Sequence, residues 1–255
     1  MKAKRLRGFD LRQVDGSFGL IGVDEAGRGA LAGPVVAGAV LVNEDFLRSD
    51  WSRRQAGHIN DSKQLTKEKR EHLFARMSWL MSEHRILFAS GAATVSEIDE
   101  HNIAGATRLA MRRAILNALE IGQIHPRPTD PLFDDHDPVG LQPGEGITGW
   151  KVLVDGKPVR SLGFEHRALV GGDARSMVIA MASIVAKVSR DQLMQELEAE
   201  YPGYGFSRHK GYGTEVHRRA LVEMGPSRIH RRLFIRSTLA EVKTEGQTDF
   251  DFPKR

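Results

Sequence analysis

Acidic residues stand beside glycine turns at three places in the 255-residue chain. Asp24 and Glu25 precede Gly27-Arg28-Gly29, Asp155 closes the run Lys151-Val152-Leu153-Val154 ahead of Gly156, and Asp173 follows Gly171-Gly172. A carboxylate that ends a buried strand is costly unless it is solvated, paired or bound to a cation. If the strands are neighbours in one sheet, the acids converge at one edge. That arrangement builds a site for hard divalent cations: oxygen ligands, with positions left for water and a substrate phosphate. Taken singly, Asp155 and Asp173 are equally well explained as turn formers or helix caps; only the set points to metal chemistry. Side chains at positions 24 and 25 of one strand leave on opposite faces. Asp24 therefore takes the central role, and Glu25 contributes either its side chain after a turn or only its backbone carbonyl.

Positioning those acids requires a sheet. Residues 19–24 read as a short buried strand ending in a glycine-rich turn, and 34–42 as a second, rich in valine and alanine. Residues 85–93 form a third candidate, and short links suggest antiparallel neighbours. Strands are also expected over 151–155 and 166–170. Helices follow Thr66, with Leu73, Met77, Leu80 and Met81 at helical spacing, and Asn102, a suitable N-cap before Ile103, Ala106, Ala110 and Ala114. A long helix spans 176–200, where Ala180, Ala182, Ser183 and Ala186 allow close packing. Residues 121–149, rich in proline, glycine and aspartate, read as a surface insertion; its Asp134-Asp135-His136-Asp137 reads as a solvated acidic loop. The order of elements implies an α/β sheet with helices packed on it.

The chain is 40% hydrophobic and 27% charged, enough for one good core. It has no cysteine, which excludes a disulfide framework and thiolate metal ligands. No run approaches a membrane span, and the basic start lacks the apolar stretch of a signal peptide, so a cytoplasmic protein is expected. The net charge of +4 says little, but the interval 208–236 concentrates Arg208, Lys210, Arg218, Arg219, Arg228, Arg231, Arg232 and Arg236 against Glu215 and Glu223. Such an excess suits a polyanion such as a nucleic-acid backbone, although on charge alone a solvated basic helix face is the preferred reading. Gly27-Arg28-Gly29 with Gly33 also echoes a dinucleotide-binding loop. That motif needs a helix next, whereas 34–42 reads as a strand, and acids at the loop entrance would repel a diphosphate.

Several longer stretches sharpen the reading. Gly22-Val23-Asp24-Glu25-Ala26-Gly27-Arg28-Gly29, followed by Leu31-Ala32-Gly33-Pro34-Val35-Val36, resembles the opening signature of ribonuclease HII. In the same order come Asn60-Asp61-Ser62-Lys63, Val154-Asp155-Gly156, Gly172-Asp173, Ala182-Ser183-Ile184-Val185-Ala186-Lys187, Tyr204-Gly205-Phe206, His209-Lys210-Gly211-Tyr212-Gly213-Thr214 and His230-Arg231-Arg232. The resemblance covers about residues 19–234 apart from the insertion. Ala30 departs from the family's usual proline, and Gly171 from a common lysine.

The resemblance implies the ribonuclease H-like fold, an α/β architecture with a five-stranded mixed sheet flanked by helices and a helical C-terminal extension. It divides the chain into an N-terminal segment (1–18), a catalytic domain (19–236, with the insertion 121–149 and a basic extension 201–236) and a polar tail (237–255). It makes Asp24, Glu25, Asp155 and Asp173 the catalytic, metal-holding acids for two magnesium or manganese ions. It assigns Gly27, Arg28 and Gly29 to substrate recognition and Tyr212 to the junction of ribose with deoxyribose. Lys63, Arg231 and Arg232 complete the expected substrate contacts. The implied enzyme is an endoribonuclease cutting RNA–DNA hybrids and single ribonucleotides in duplex DNA, on their 5′ side, leaving a 5′-phosphate and a 3′-hydroxyl, with a place in ribonucleotide excision repair and DNA replication. A monomer is expected. The tail segment Gln247-Thr248-Asp249-Phe250-Asp251-Phe252 resembles the peptides that dock on the bacterial sliding clamp. The alternatives are the related ribonuclease HIII, a non-catalytic nucleic-acid-binding module, and a nicotinamide or flavin enzyme.

Overall fold

The computed structural model describes residues 2–55, 59, 65–125, 147 and 149–236. Lys63 with its neighbours Asn60, Asp61 and Ser62, the acidic run Asp134-Asp135-His136-Asp137 and the clamp-like tail lie outside the described residues.

The chain opens with helix α1 (Lys2–Val14), then β1 (Gly19–Ala26) and β2 (Val35–Asn43). Short helices α2 (Glu44–Arg48) and α3 (Asp50–Gln55) lead to α4 (Lys67–Ser82), β3 (Leu87–Ala93) and the long α5 (Val95–Ile121). After β4 (Trp150–Asp155) and β5 (His166–Leu169) come α6 (Met177–Glu200), α7 (Phe206–His209) and α8 (Glu215–Met224). The five strands make one sheet in the order β3-β2-β1-β4-β5, antiparallel across β1, β2 and β3 and parallel across β1, β4 and β5. This is the mixed sheet with flanking helices that the sequence leads one to expect.

Each face carries its own core. Leu20, Val40, Val42 and Leu153 pack with α6, whereas Ile21, Val23, Val35, Leu41, Val152 and Val154 pack with α5. Alternation along each strand separates the two sets. Helix α6 lies close over β1 and β2 where glycines, at 22 and 38, leave no side chain beneath it. A Cβ on Gly22 would lie 2.4 Å from the Val178 carbonyl carbon, and one on Gly38 would lie 2.4 Å from the Ala182 oxygen. Gly91 does the same for α5, where a Cβ would meet the Ala114 nitrogen at 2.4 Å. Alanine at any of these positions forces the helix outward, at a cost on the order of 1–3 kcal/mol.

Local signals set most helix starts. Thr66 accepts from the Lys69 N–H to begin α4, and Ser176 accepts from the Ile179 N–H to begin α6. The expectation for α5 needs correction. The helix begins at Val95, behind a reciprocal capping box of Thr94 and Glu97, rather than at Asn102. Asn102 still behaves as a cap: its backbone is kinked (φ 58°, ψ 172°), and its Oδ1 accepts from the N–H groups of Ala104 and Gly105 at 2.9 and 3.2 Å. One periodic segment is thus two helical pieces. The N-terminal segment, for which the sequence reading gave no element, forms helix α1, which packs against α2, α3, α6 and β1.

Candidate active site

Strand pairing brings the first two acids together. β1 and β4 run parallel with Val23 opposite Val154, the last pair of their ladder. Asp24 and Asp155 follow it on adjacent strands, Asp155 as the last residue of β4 and Asp24 two residues before the end of β1. Both valines face α5, which turns the next positions, Asp24 and Asp155, towards the α6 side. Asp24 is only 4% exposed. One oxygen accepts from the Glu25 N–H at 2.7 Å, and Ser183 of α6 supplies a side-chain hydrogen bond. Burial, followed by the nearby charges of Glu25 and Asp155, holds the Asp24 carboxyl well above the usual carboxylate range.

Asp155 anchors the third acid. Its Oδ1 accepts from the Gly172 N–H at 2.5 Å, which holds the 3-10 turn Gly172–Ala174 that carries Asp173. A side chain at 172 would crowd this contact, since a Cβ there would lie 2.7 Å from Ile179 Cδ1, which would have to shift, and 3.1 Å from Asp155 Oδ1. Asp173 is buried at 6% exposure. Glu25 behaves differently. It lies within β1, on the opposite face from Asp24, and its carboxylate accepts from Arg28 at 3.1 Å. It lines a groove of about 830 Å³ together with Arg28, Asp155, Asn102, Arg108 and Arg160.

Among the described residues, no three acids or histidines are already closed into an ion-binding group. The donor set nevertheless suits a hard divalent cation. It is all carboxylate, and the charge repulsion on buried Asp24 is what a cation would cancel.

The loop after β1 is held from below by two arginines that the sequence reading treated as surface charge or passed over. Arg190 of α6 is fully buried, and its guanidinium donates to the carbonyls of Pro34, Lys210 and Ala32 at 3.1, 2.8 and 3.2 Å. Arg231 is equally buried and donates twice to Gly33 O, at 2.9 and 2.8 Å, and once to Arg28 O, at 2.9 Å. Burial and the Arg190 charge lower its pKa to about 9. Arg231 therefore does not present its charge to a phosphate, which corrects its expected role as a substrate contact. Neighbouring Arg232 is half-buried.

The glycine pair divides its labour. A Cβ on Gly27 (φ 91°) would fall 1.9 Å from Arg190 Nε, so this glycine makes room for the arginine. Gly29 is exposed, and a Cβ there would meet nothing within 4 Å, so its open side faces out of the protein. Tyr212 stands beside this loop, 36% exposed, with the Arg190 guanidinium 5.3 Å from its ring centre and the Lys187 ammonium at 5.8 Å. The structure thus brings Asp24, Glu25 and Asp155 within electrostatic reach of one another and ties Asp155 to the turn that carries Asp173. Arg190 lies between Gly27 and the Tyr212 ring.

Residues beyond those expected also shape the site. Ser183 and Arg190 lie two turns apart on α6, a spacing visible in the sequence once the helix is assigned. Asp10 of α1 accepts from the N–H groups of Met177 and Val178 at 2.8 and 3.1 Å, capping α6 just after the Asp173 turn. No local signal marks it, since its partners are 167 and 168 residues away.

A family model described as ribonuclease HII matches residues 21–127 and 141–237. Among curated relatives, a ribonuclease HII of Halorhodospira halophila is 43% identical over 220 residues, covering 86% of this chain and 93% of its own. A ribonuclease HII of Dehalococcoides mccartyi is 41% identical over 219 residues, covering 86% and 87%. Among solved structures, the ribonuclease H2 of Pyrococcus horikoshii superposes with a TM-score of 0.59 at 24% identity, covering 88% of this chain and 99% of that one. A Bst ribonuclease HIII in complex with Mn2+ gives 0.59 at 17% identity, covering 92% and 73%. The Archaeoglobus fulgidus ribonuclease HII solved with PCNA gives 0.57 at 20% identity, covering 84% and 94%.

Proposed function

The chain belongs to the ribonuclease HII family, a hydrolytic nuclease of the ribonuclease H type, and we propose that it cuts RNA–DNA hybrids and single ribonucleotides embedded in duplex DNA. The cut falls on the 5′ side of the ribonucleotide and leaves a 3′-hydroxyl and a 5′-phosphate. The observation that carries this reading is the closeness of Asp24, buried near the end of β1, to Asp155 at the end of the neighbouring β4, where burial and like charge hold Asp24 well above its ordinary pKa.

Asp24, Asp155 and Asp173 would hold two Mg2+ or Mn2+ ions, joined by Glu25 once its side chain leaves Arg28. Ions held by these residues would supply an activated water and stabilise the departing oxygen. The protein's own contribution is position. Ser183 and the Glu25 N–H fix the Asp24 carboxylate. Asp155 holds the turn that presents Asp173. Gly29 lets the backbone approach a ribose closely enough to read the 2′-hydroxyl, the group that separates RNA from DNA. Tyr212 offers an apolar ring to the deoxyribose that follows. A sugar hydroxyl pushed against that ring would lose its hydrogen bonds. Arg28, after β1, and the exposed basic residues of the C-terminal extension meet phosphates.

Duplex DNA containing one ribonucleotide, incubated with and without Mg2+ or Mn2+, tests this directly. A metal-dependent cut mapped immediately 5′ of the ribonucleotide is expected, with none on the all-deoxy duplex; cleavage of both duplexes, or of neither, overturns the reading. Activity on the single ribonucleotide also separates it from a ribonuclease HIII-type preference for long hybrids.

The A. fulgidus relative was solved with PCNA, and the tail of this chain resembles a clamp-docking peptide. The same reading therefore includes a sliding-clamp partner bound through residues 247–252, and a monomeric enzyme working in the cytoplasm. Removing residues 247–255 should abolish clamp binding and leave cleavage of naked DNA unchanged.

A further inference from the structure

Three histidines, one on the turn before Tyr212 and two beyond it, form a buried network whose hydrogen bonds admit one arrangement of protons. His230 Nδ1 receives the Ser227 N–H at 2.9 Å, so its proton sits on Nε2. That Nε2 lies 3.1 Å from Nε2 of His217, which must therefore be the acceptor. The His217 proton is then on Nδ1, 3.0 Å from the carbonyl oxygen of Tyr212. His209 follows the same rule: its Nδ1 receives the Gly211 N–H at 3.2 Å, and its Nε2 donates to Tyr204 O at 2.7 Å. The His209 and His217 rings stack with centres 4.4 Å apart. Burial and mutual repulsion lower the pKa of His217 to about 4 and that of His230 to about 3, so the chain is neutral under ordinary conditions.

The network ends on the backbone of one residue. The Tyr212 N–H donates to His209 O at 3.0 Å, and its carbonyl accepts from Thr214 N at 2.8 Å and from His217. Glycines flank it on both sides, with Gly211 at φ 76°, so local stereochemistry leaves this peptide free to turn. The ring above is more than a third exposed and rests on Arg190. We propose that His217, locked in one tautomer by His230, is a positioning residue for Tyr212 and sets how sharply the enzyme separates a lone ribonucleotide in DNA from continuous RNA. This rests on the reading of Tyr212 as the residue that meets the sugar after the ribonucleotide.

Two substitutions pull packing and hydrogen bonding apart. His217→Phe keeps a ring to stack on His209 but loses the donor to Tyr212. His217→Asn loses the stack but places an amide N–H where Nδ1 was. The measured quantity is the ratio of cleavage rates at a lone ribonucleotide and within a continuous hybrid, under one metal and salt condition, with the melting temperature followed alongside. His217→Asn should keep the ratio near that of the unmodified protein, whereas His217→Phe should lower it at least about fivefold, the weight of one hydrogen bond. An unchanged ratio in His217→Phe, or an equal fall in both variants, overturns the proposal and makes the network ordinary packing. Adding His217→Phe to Tyr212→Ala should change the ratio no further; a further fall would mean that His217 acts elsewhere. Should His217→Phe fail to fold, His217→Gln replaces it, because its amide reaches the Nε2 position and not that of Nδ1. Failure of the underlying reading shows separately, as unmodified protein that does not cut at a ribonucleotide. Nitrogen-15 shifts of the imidazoles at neutral pH test the relay without activity: His217 protonated on Nδ1 supports it, and the opposite tautomer sinks it.

Discussion

Two buried polar clusters flank the Gly27–Gly29 loop on opposite electrostatic terms. At the strand ends, Asp24 is surrounded by like charge, with Glu25 and Asp155 raising its pKa beyond what burial alone does. On the other side, Arg190 of α6 and Arg231 of the C-terminal extension are buried as deeply, yet together they donate six hydrogen bonds to backbone carbonyls, five of them on Arg28, Ala32, Gly33 and Pro34 between β1 and β2. A buried charge whose lone pairs or protons are satisfied stiffens its surroundings. A buried charge crowded by its own sign is a cost that a ligand can relieve, which is why such groups gather at functional sites. On the proposed reading the acid edge takes up cations, and the arginine–histidine block holds the loop and Tyr212 still.

The largest expected effect breaks the first cluster. Asp24→Asn should lower cleavage at least about 100-fold, since even the outer partners of metal ligands are worth 10–100-fold. The same change removes buried like-charge repulsion and should raise stability by about 1 kcal/mol. Asp155→Asn and Asp173→Asn should share the loss of activity. Asp155→Asn should show no gain in melting temperature, because its carboxylate already accepts the Gly172 N–H. Full activity in any of the three removes that residue from the site.

The second cluster breaks differently. Arg231→Ala strands the carbonyls of Gly33 and Arg28 and should cost about 2–4 kcal/mol, read as a fall in the urea midpoint. Protein that remains folded should bind duplex with the same salt dependence as before. A stable Arg231→Ala variant with a flattened salt dependence would restore the arginine as a phosphate contact.

The pH dependence of stability sharpens the contrast. Unfolded imidazoles take up protons below about pH 6.5, whereas His217 and His230 resist until about 4 and 3. These two groups therefore cost stability as pH falls from about 6.5 towards 4. Asp10 works the other way. Its carboxyl is pushed up to about 7 by burial, so the folded state keeps a proton that the unfolded chain releases above about 3.8, and stability is lost as pH rises through that window. Asp24, also raised, acts in the same sense. Between pH 4.5 and 6.5 the opposing slopes offset each other. Asp10→Asn should steepen the rise of stability with pH, and His217→Phe should flatten it, each by up to about 1.4 kcal/mol per pH unit. Parallel urea titrations across that range decide; identical slopes in both variants would remove these groups from the pH response.

What the sequence revealed and concealed follows from the range of the interactions. Strand alternation and the caps Thr66 and Ser176 act within a few residues, so the sheet and α6 can be read directly. The acids could be singled out because each stands near a glycine turn that follows or precedes it within a few residues. The start of α5 was misplaced although Thr94 and Glu97 carry a capping signal, because Asn102 carries one too and the helix uses both. Asp10, Arg190 and Arg231 were missed or misread for a different reason. Their partners are backbone groups far away in sequence, two of the three sets in loops without periodicity, and a charged residue in isolation reads as solvated. The histidines gave no signal for the same reason, since their tautomers are fixed only by contacts among segments that fold together.

The smallest effect tests what remains of the basic stretch once its buried members are set aside. Of the residues expected to meet phosphate, Arg231 is inside the protein and Lys210 is nearly so, whereas Arg208, Arg218, Arg228 and Arg236 are exposed and Arg232 is half-buried. Counterion release counts only charges that reach the nucleic-acid backbone, at about 0.9 in the slope of log affinity against log salt for each phosphate neutralised on duplex DNA. Arg232→Ala should therefore reduce the slope by no more than about 0.9. It should leave the choice between ribose and deoxyribose untouched, since a phosphate contact carries no information about the sugar or base. Arg218→Ala should give a similar reduction, measured by titrating a metal-free, uncleaved duplex at several salt concentrations. If neither variant moves the slope, the exposed arginines are a solvated face, and the polyanion is held by Arg28 and the groove beside Glu25. If Arg232→Ala instead lowers the melting temperature as Arg231→Ala does, it belongs with the buried anchors, and the boundary between holding the loop and gripping the substrate shifts one residue along the chain.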